Sequence, residues 1–110
     1  MNYITGTVVK GDGYGRKLGF PTVNVIAEET PPYGVYAGTA TLENKIYRAG
    51  ILINPKIRDK CKVEAHLIGY NGDAYGKMVT LELKKFLREY KKFDTERELI
   101  IQIKKDLEQC

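Results

Sequence analysis

The residues best suited to chemistry lie in one glycine-rich stretch near the start of the chain, which reads GDGYGRKLGFPTVN over positions 11–24. Glycine reaches positive φ at low cost and lets a backbone approach a ligand closely. Successive backbone N–H groups in such a loop can form a concave anion site. Arg16 places a positive charge beside these N–H groups, and Pro21 stiffens the backbone where the loop ends. The stretch is therefore predicted to bind phosphate groups through Gly11, Gly13, Gly15 and Arg16, with Pro21 behind them.

Thr22 and Asn24 follow this loop and lie two residues apart. On a strand, that spacing directs both side chains to one face. Hydroxyl and carboxamide oxygens are hard ligands that suit Mg²⁺. The two residues are therefore a candidate metal pair for the cation that accompanies phosphates.

The glycine loop alone also fits an ordinary turn after a strand. It is not a P-loop, because no glycine–lysine pair is followed by Ser or Thr. It is not the dinucleotide-binding fingerprint either, because the glycine spacing differs and no helical pattern follows. The loop alone therefore does not indicate a binding site, and the interpretation depends on the other motifs in the chain.

A second candidate lies in the segment VEAHL over positions 63–67. A period of two places its apolar residues on one strand face and Glu64 and His66 on the other. The residues alone are compatible with an ordinary solvent-facing glutamate. His66 is close enough in sequence to orient Glu64.

The bulk composition indicates one folded domain over positions 1–110. Hydrophobic residues make up 43% of the 110 residues, which is too many for a disordered chain. The net charge of +4 suits an anionic ligand but is spread along the sequence. Two cysteines are too few for a disulfide framework. With no signal peptide or long apolar run recognised, a reduced, cytoplasmic location is expected.

Periodicity predicts six short strands and a final helix. The helix is expected from about 96 to 109, with Thr95 as its cap and Glu98 completing a capping box. Its apolar face repeats at helical spacing, at Leu99, Ile100, Ile103 and Leu107. Many short strands with Gly/Pro turns suggest a closed antiparallel barrel. The predicted strands are 3–10, 22–26, 35–42, 46–53, 61–68 and 78–85.

The order of the motifs resembles that of the ATP-dependent riboflavin kinases. The family's Pro-Thr-Ala-Asn motif matches PTVN at 21–24, and further blocks follow in the family's order over nearly the whole chain. The resemblance implies a six-stranded Greek-key β-barrel with the C-terminal α-helix packed outside it. The further blocks are GVYA at 34–37, VEAHL at 63–67, YGK at 75–77, FLR at 86–88 and KFDT at 92–95.

The resemblance also implies roles for individual residues. Glu64 takes the place of the family's catalytic glutamate, the general base for the riboflavin 5′-hydroxyl. Thr22 and Asn24 hold Mg²⁺ between the nucleotide phosphates. Tyr75 and Arg88 join Glu64 as flavin-binding residues, with Arg88 in a mobile flap.

The implied function is transfer of the γ-phosphoryl group of ATP to riboflavin, giving FMN and ADP. The expected partners are these two small molecules, with no nucleic acid or membrane, and the chain is expected to be a monomer. The alternative is a non-catalytic flavin- or nucleotide-binding barrel. Its support is the run 51–53, bulky where the family often has glycine, and short lids at 27–34 and 54–60. FAD synthesis is not expected from this chain alone, because it carries no adenylyltransferase domain.

Overall fold

The computed structural model of the chain describes residues 2–11, 13–27, 30–55 and 57–110. Within them lie six strands and two helices, in the order given by the chain. The strands are β1 Asn2–Thr7, β2 Val23–Ala27, β3 Gly34–Leu42, β4 Lys45–Ile53, β5 Cys61–Leu67 and β6 Met78–Arg88. The helices are α1 Tyr14–Lys17 and α2 Glu96–Glu108.

All six strands form one antiparallel sheet in the order β1-β6-β3-β4-β5-β2. Only β3 and β4 are both consecutive in the chain and joined by a tight turn, in which Glu43 and Asn44 have φ of 51° and 65°. Two positive φ values match the twist of a two-residue hairpin. Strands β4 and β5 are also adjacent in both chain and sheet, whereas the connections β1–β2, β2–β3 and β5–β6 join strands that are not adjacent in this order, as in a Greek key.

The outer strands β1 and β2 come together, so that the sheet is nearly closed into a barrel. Just after β1, the backbone N–H of Val9 donates to the carbonyl oxygen of Asn24 at 2.8 Å. Closer to the middle of β1, a Cβ added to Gly6 would lie 2.6 Å from the Cγ1 of Val25. The two strands therefore meet too closely for a side chain at position 6, and glycine permits the closure.

Alternating residues of every strand fill the barrel interior. On β5, Val63 and Ala65 are fully buried while the residues between them are only half-buried, as the period of two predicts. The largest fully buried side chains form this core: Val25, Leu42, Ile51, Ile53, Val63, Val79 and Leu81.

The predicted fold class is confirmed, and the corrections concern element ends. The predicted first strand ended at position 10, but β1 ends at Thr7. Val8 is hydrogen-bonded to Gly76 and Lys77, which precede β6, and Val9 bridges to Asn24 of β2. The glycine loop contains one helical turn, Tyr14–Lys17, which the sequence analysis did not predict. Gly13 and Gly19, with φ of 75° and 93°, bracket that turn. The short lids expected at 27–34 and 54–60 include residues 28, 29 and 56, which lie outside the described residues.

The last strand is three residues longer than predicted and carries Arg88 at its end. Register shifts in the β3–β6 pairing let the strand continue, so that Val35 pairs with Arg88. After a short connection, Thr95 caps α2 by accepting a hydrogen bond from the N–H of Glu98 at 3.2 Å. The predicted helix is thus confirmed to within one residue. In the described part of the chain, neither helix is long and apolar enough to cross a membrane.

One ion pair ties α2 to the end of β6. The Nη2 of Arg88 lies 2.9 Å from Oδ2 of Asp106, and its Nε contacts both carboxylate oxygens. Gln102 donates a further hydrogen bond to Asp106 at 3.0 Å. The Cys110 thiol donates a hydrogen bond to the backbone carbonyl oxygen of Asp106 at 3.3 Å. Burial raises the pKa of this thiol most, the Asp106 carboxylate raises it further, and the positive charge of Arg48 lowers it. Asp106 therefore anchors the C-terminal half of α2.

We expect Asp106→Ala to loosen α2 and leave the barrel folded. Removing the carboxylate leaves the guanidinium of Arg88 without its partner, at a cost on the order of 2 kcal/mol. Urea unfolding would show the loss of stability, and hydrogen exchange would show faster exchange of the α2 amides. Glu108→Ala, an exposed change on the same helix, should alter stability by less than about 0.5 kcal/mol. Unchanged α2 exchange in the Asp106 variant would contradict this anchoring role.

Candidate functional site

Two cavities flank the segment that joins the glycine loop to β2. The first, the loop cavity, has a volume of about 230 Å³ and lies between that segment and the 70–75 turn. Arg16, Pro21 and Thr22 line one side of it, and Tyr70 and Tyr75 line the other.

The second, the helix cavity, lies between the outer face of β4 and β5 and the inner face of α2. Its volume of about 580 Å³ is within the range typical of small-molecule sites. One wall is apolar, and Glu64 and Asn54 lie on the barrel side. Thr22 lines both cavities, so the two meet at this residue. The apolar wall includes Phe20, Leu52, Leu99, Ile103 and Leu107.

The glycine loop folds tightly over the start of β2. A Cβ added to Gly11 would overlap the carboxamide of Asn24, and one added to Gly15 would lie 2.6 Å from the carbonyl oxygen of Phe20. The N–H of Phe20 in turn donates to the carbonyl oxygen of Gly15 at 2.7 Å. These two glycines therefore allow the loop to lie directly on residues 20–24, which brings Arg16 to the loop cavity.

Asn24 faces outward from the barrel but is covered by this loop, so that only 6% of it is exposed. Its Oδ1 is buried and accepts no hydrogen bond from any residue that the structure describes. A buried carbonyl oxygen without a donor is costly in a folded protein. A cation would satisfy that oxygen, so the prediction that Asn24 is a metal ligand fits the site.

Glu64 occupies the boundary between the cavities. Its Oε1 accepts a hydrogen bond from the Thr22 hydroxyl at 3.4 Å, and its Oε2 accepts one from Nδ2 of Asn54 at 3.0 Å. The ammonium group of Lys62 lies 3.9 Å from Oε2. The side chain is 17% exposed, so it is accessible from the helix cavity without lying in bulk solvent.

His66 contacts the loop exit instead of Glu64. Its Nδ1 lies 2.8 Å from the carbonyl oxygen of Pro21, to which it donates, and its ring meets Phe20 edge-on with centroids 5.9 Å apart. The sequence-based suggestion that His66 orients Glu64 is therefore replaced by a different arrangement. His66 fastens the segment that carries Thr22 to β5.

The structure separates the residues that the resemblance grouped at the flavin site. Glu64 and Arg88 both line the helix cavity, whereas Tyr75 lines the loop cavity with Arg16. Arg88 is engaged with Asp106 and lies 5.6 Å from the centre of the Phe93 ring, so in this structure it fixes a wall of the cavity. Of the predicted phosphate and metal residues, Arg16, Pro21 and Thr22 line the loop cavity, and Gly15 lines the helix cavity. Gly11, Gly13 and Asn24 line neither cavity.

Two residues of the site were missed by sequence reasoning. Asp106 lies three residues after Ile103 and seven after Leu99, so helical spacing placed a carboxylate on the inner face of α2 and was a usable signal. Asn54 appeared in the sequence analysis only as the first residue of the short lid at 54–60. Its contact with Glu64 depends on the β4–β5 register, which cannot be read from the sequence alone.

The bulky run 51–53 does not fill the helix cavity as its size suggested. Ile51 and Ile53 are fully buried in the barrel core, and the side chain of Leu52 points outward. Ile51 and Leu52 both line the helix cavity. Gly50 instead faces α2, where an added Cβ would lie 3.0 Å from Cδ2 of Leu107. Glycine at position 50 lets the helix pack close to β4.

Fold and cavities define a class of protein: a Greek-key barrel with two adjoining cavities that meet at Thr22, with Glu64 in one of them. Residues 2–110 match the family model described as flavokinase, riboflavin kinase. The chain belongs to the riboflavin kinase family, which confirms the resemblance seen in the sequence.

Two relatives from Bacillus subtilis (strain 168) show the same family. A bifunctional riboflavin kinase/FMN adenylyltransferase is 34% identical over 98% of this chain and 37% of its own length. An RNA-binding riboflavin kinase, RibR, is 36% identical over 97% of this chain and 49% of its own length. The chain thus spans less than half the length of these relatives.

Two solved structures share the fold. A crystal structure described as a macrolide-efflux protein from Streptococcus pneumoniae superposes with a TM-score of 0.88 and 29% identity, over 96% of this chain and 37% of that one. Riboflavin kinase from Trypanosoma brucei superposes with a TM-score of 0.68 and 22% identity, over 96% of this chain and 74% of that one. At that identity, the second likeness supports the barrel architecture alone.

The position of Tyr75 gives a test of the two-cavity arrangement. The sequence predicts that nucleotide phosphates bind at the glycine loop, whose Arg16 lines the same cavity as Tyr75. On that prediction, Tyr75→Ala should weaken ADP binding by about threefold to tenfold, the range expected for one aromatic contact. Riboflavin binding should change little. Isothermal titration with each ligand measures both effects. Tyr33→Ala is the matched control, since Tyr33 is similarly exposed and lines neither cavity. A weakened riboflavin affinity with unchanged ADP affinity would return Tyr75 to the flavin site.

Proposed function

We propose that this chain is an ATP:riboflavin 5′-phosphotransferase that forms FMN and ADP. The observation that carries the proposal is the position of Glu64, which lies in the helix cavity and 3.4 Å from Thr22, the residue common to both cavities. A carboxylate at that junction can serve an acceptor in one cavity and a donor in the other. The proposal takes residues 1–110 as one kinase domain that acts as a cytoplasmic monomer on two small molecules.

The loop cavity suits the nucleotide. Arg16 supplies a positive charge beside it, and Tyr70 and Tyr75 offer aromatic faces for a base. Asn24 and Thr22 would hold Mg²⁺, for which the buried Oδ1 of Asn24 is the supporting observation. When bound, the cation neutralises the negative charge of the phosphates. No group of three His, Cys, Asp or Glu side chains suited to a metal occurs among the described residues.

The helix cavity suits the flavin. Its apolar wall on α2 and β4 matches the hydrophobic ring system, whose burial is favourable at about 25 cal/mol per Å². Glu64 and Thr22 form a polar end of the same cavity, where a ribityl chain finds hydrogen-bonding partners. This orientation points the 5′-hydroxyl toward the loop cavity and its nucleotide.

Direct transfer follows from this arrangement. Glu64 accepts the proton of the riboflavin 5′-hydroxyl while the 5′-oxygen of riboflavin forms a bond to the γ-phosphorus. The bond from that phosphorus to the bridging oxygen of ADP breaks in the same step. Phosphoryl transfer needs chiefly alignment and charge neutralisation. The barrel supplies the alignment, because Glu64 and Thr22 lie on adjacent segments fixed by the β2–β5 pairing.

Glu64→Gln tests the proposed base. Glutamine keeps the size of the side chain and an acceptor oxygen but cannot take up a full proton, so kcat should fall by about 10²–10⁴-fold. Affinity for both substrates should change little. The assay is FMN formation from riboflavin and ATP, separated by chromatography. Glu82→Gln, on the outer face of β6, is the matched control and should retain wild-type kcat. A Glu64 variant that keeps more than about a tenth of kcat would show that Glu64 is not the base.

Wild-type protein that binds riboflavin but forms no FMN would contradict the proposed activity. It would favour the non-catalytic flavin- or nucleotide-binding barrel instead.

Asn24→Ala tests the metal pair. Loss of the buried amide oxygen should remove most of the extra thermal stabilisation that Mg²⁺ adds to ADP binding, since a ligand stabilises only the state that binds it. Differential scanning fluorimetry with ADP, with and without Mg²⁺, measures the difference for wild type and variant. The variant should remain folded without ligand. Equal Mg²⁺-dependent shifts in both proteins would assign Asn24 a purely structural role.

A further inference from the structure

Asn54 directly follows β4, where its backbone position is fixed and its side chain lies next to Glu64. It follows Ile53, which is fully buried at the end of β4. Its own N–H donates to the carbonyl oxygen of Lys62 at 3.0 Å, which extends the β4–β5 pairing by one bond. Pro55 comes next, and the residue before a proline is restricted to extended conformations. The direction of the Asn54 side chain is therefore set by its neighbours.

The side-chain amide of Asn54 donates hydrogen bonds to two acceptors on β5. Nδ2 lies 2.9 Å from the carbonyl oxygen of Lys62 and 3.0 Å from Oε2 of Glu64. The other carboxylate oxygen, Oε1, lies on the side of Thr22. One carboxylate oxygen is thus held on the barrel side, and the other is directed toward the junction of the two cavities.

A carboxylate at the end of a flexible side chain has other arrangements available. The ammonium group of Lys62 lies 3.9 Å from Oε2, close enough to draw Glu64 toward solvent if the amide were absent. A displacement of about 1 Å in a catalytic group is enough to lower a rate substantially. The bond from Asn54 therefore acts on the geometry on which the proposed proton transfer depends.

We propose that Asn54 is a positioning residue that holds Glu64 in the orientation required for phosphoryl transfer. This inference rests on the proposed kinase function and extends it to a residue to which that proposal gives no role. Asn54 touches the base and not the reacting atoms. Its effect should appear in kcat more than in KM, because it aligns a group that acts in the transition state.

Truncating Asn54 should leave the fold intact. In Asn54→Ala, the carbonyl oxygen of Lys62 keeps the backbone N–H of residue 54 as a donor. The half-buried position at a strand end also leaves no deep cavity. A second variant, Asn54→Asp, keeps the side-chain shape but replaces the donor with a negatively charged acceptor facing Glu64. Both variants remove the same bond by different means.

The experiment is a double-mutant cycle between Asn54 and Glu64 measured by the steady-state kinetics of FMN formation. Asn54→Ala should lower kcat by about 10- to 100-fold, with KM for riboflavin and ATP within about threefold of wild type. Asn54→Asp should lower kcat at least as much. In the Glu64→Gln background, Asn54→Ala should change the rate by less than about twofold, because the residue acts through Glu64. Circular dichroism verifies that each variant is folded.

Each contrary result has a separate meaning. Asn54→Ala with wild-type kcat, in a wild-type protein that makes FMN, would overturn the positioning role and leave the kinase function standing. Should Asn54→Ala not fold, wild-type kcat in a folded Asn54→Asp variant would overturn it equally. An additive loss in the double variant would show that Asn54 acts independently of Glu64 and would also overturn the role. Wild-type protein without FMN formation would overturn both proposals.

Discussion

The hydrogen bonds that Glu64 accepts from Thr22 and Asn54 depend on strand register. Asn24 lies opposite Glu64 in the β2–β5 pair, and Leu52 lies opposite it in the β4–β5 pair. A slip of one residue in β5 would turn Glu64 into the barrel and a valine or alanine outward. The buried alternation of β5 prevents that slip, because it would place charged side chains in the core. Core packing and site geometry are therefore set by the same pairing.

Each cavity gains its second wall from a segment outside the sheet. The glycine loop forms the wall of the loop cavity, and the contact between Gly11 and Asn24 determines how closely it lies. Helix α2 forms the wall of the helix cavity, and the bonds between Arg88 and Asp106 determine where it is held. The barrel thus carries Glu64 on a rigid face, while two separately attached segments shape the two sites around it.

Local patterns predicted most of the fold. The period of two in β5 identified the face of Glu64, and Thr95 with Glu98 located the start of α2 to the residue. Contacts between distant segments were not predictable in this way. The pairing of Arg88 with Asp106, and the placement of Tyr75 away from Glu64, follow from barrel closure and from crossing connections. A single sequence records residue types and spacing, and these contacts depend on which strands become neighbours.

The stereochemistry of phosphoryl transfer tests the central claim most directly. If Glu64 activates the riboflavin hydroxyl where the two cavities meet, the phosphoryl group moves in one in-line step. ATP made chiral at the γ-phosphorus with oxygen isotopes should then give FMN with inverted configuration. Phosphorus NMR of the product determines the outcome. Retention of configuration would contradict the account, because it requires a second displacement through a phosphorylated protein group.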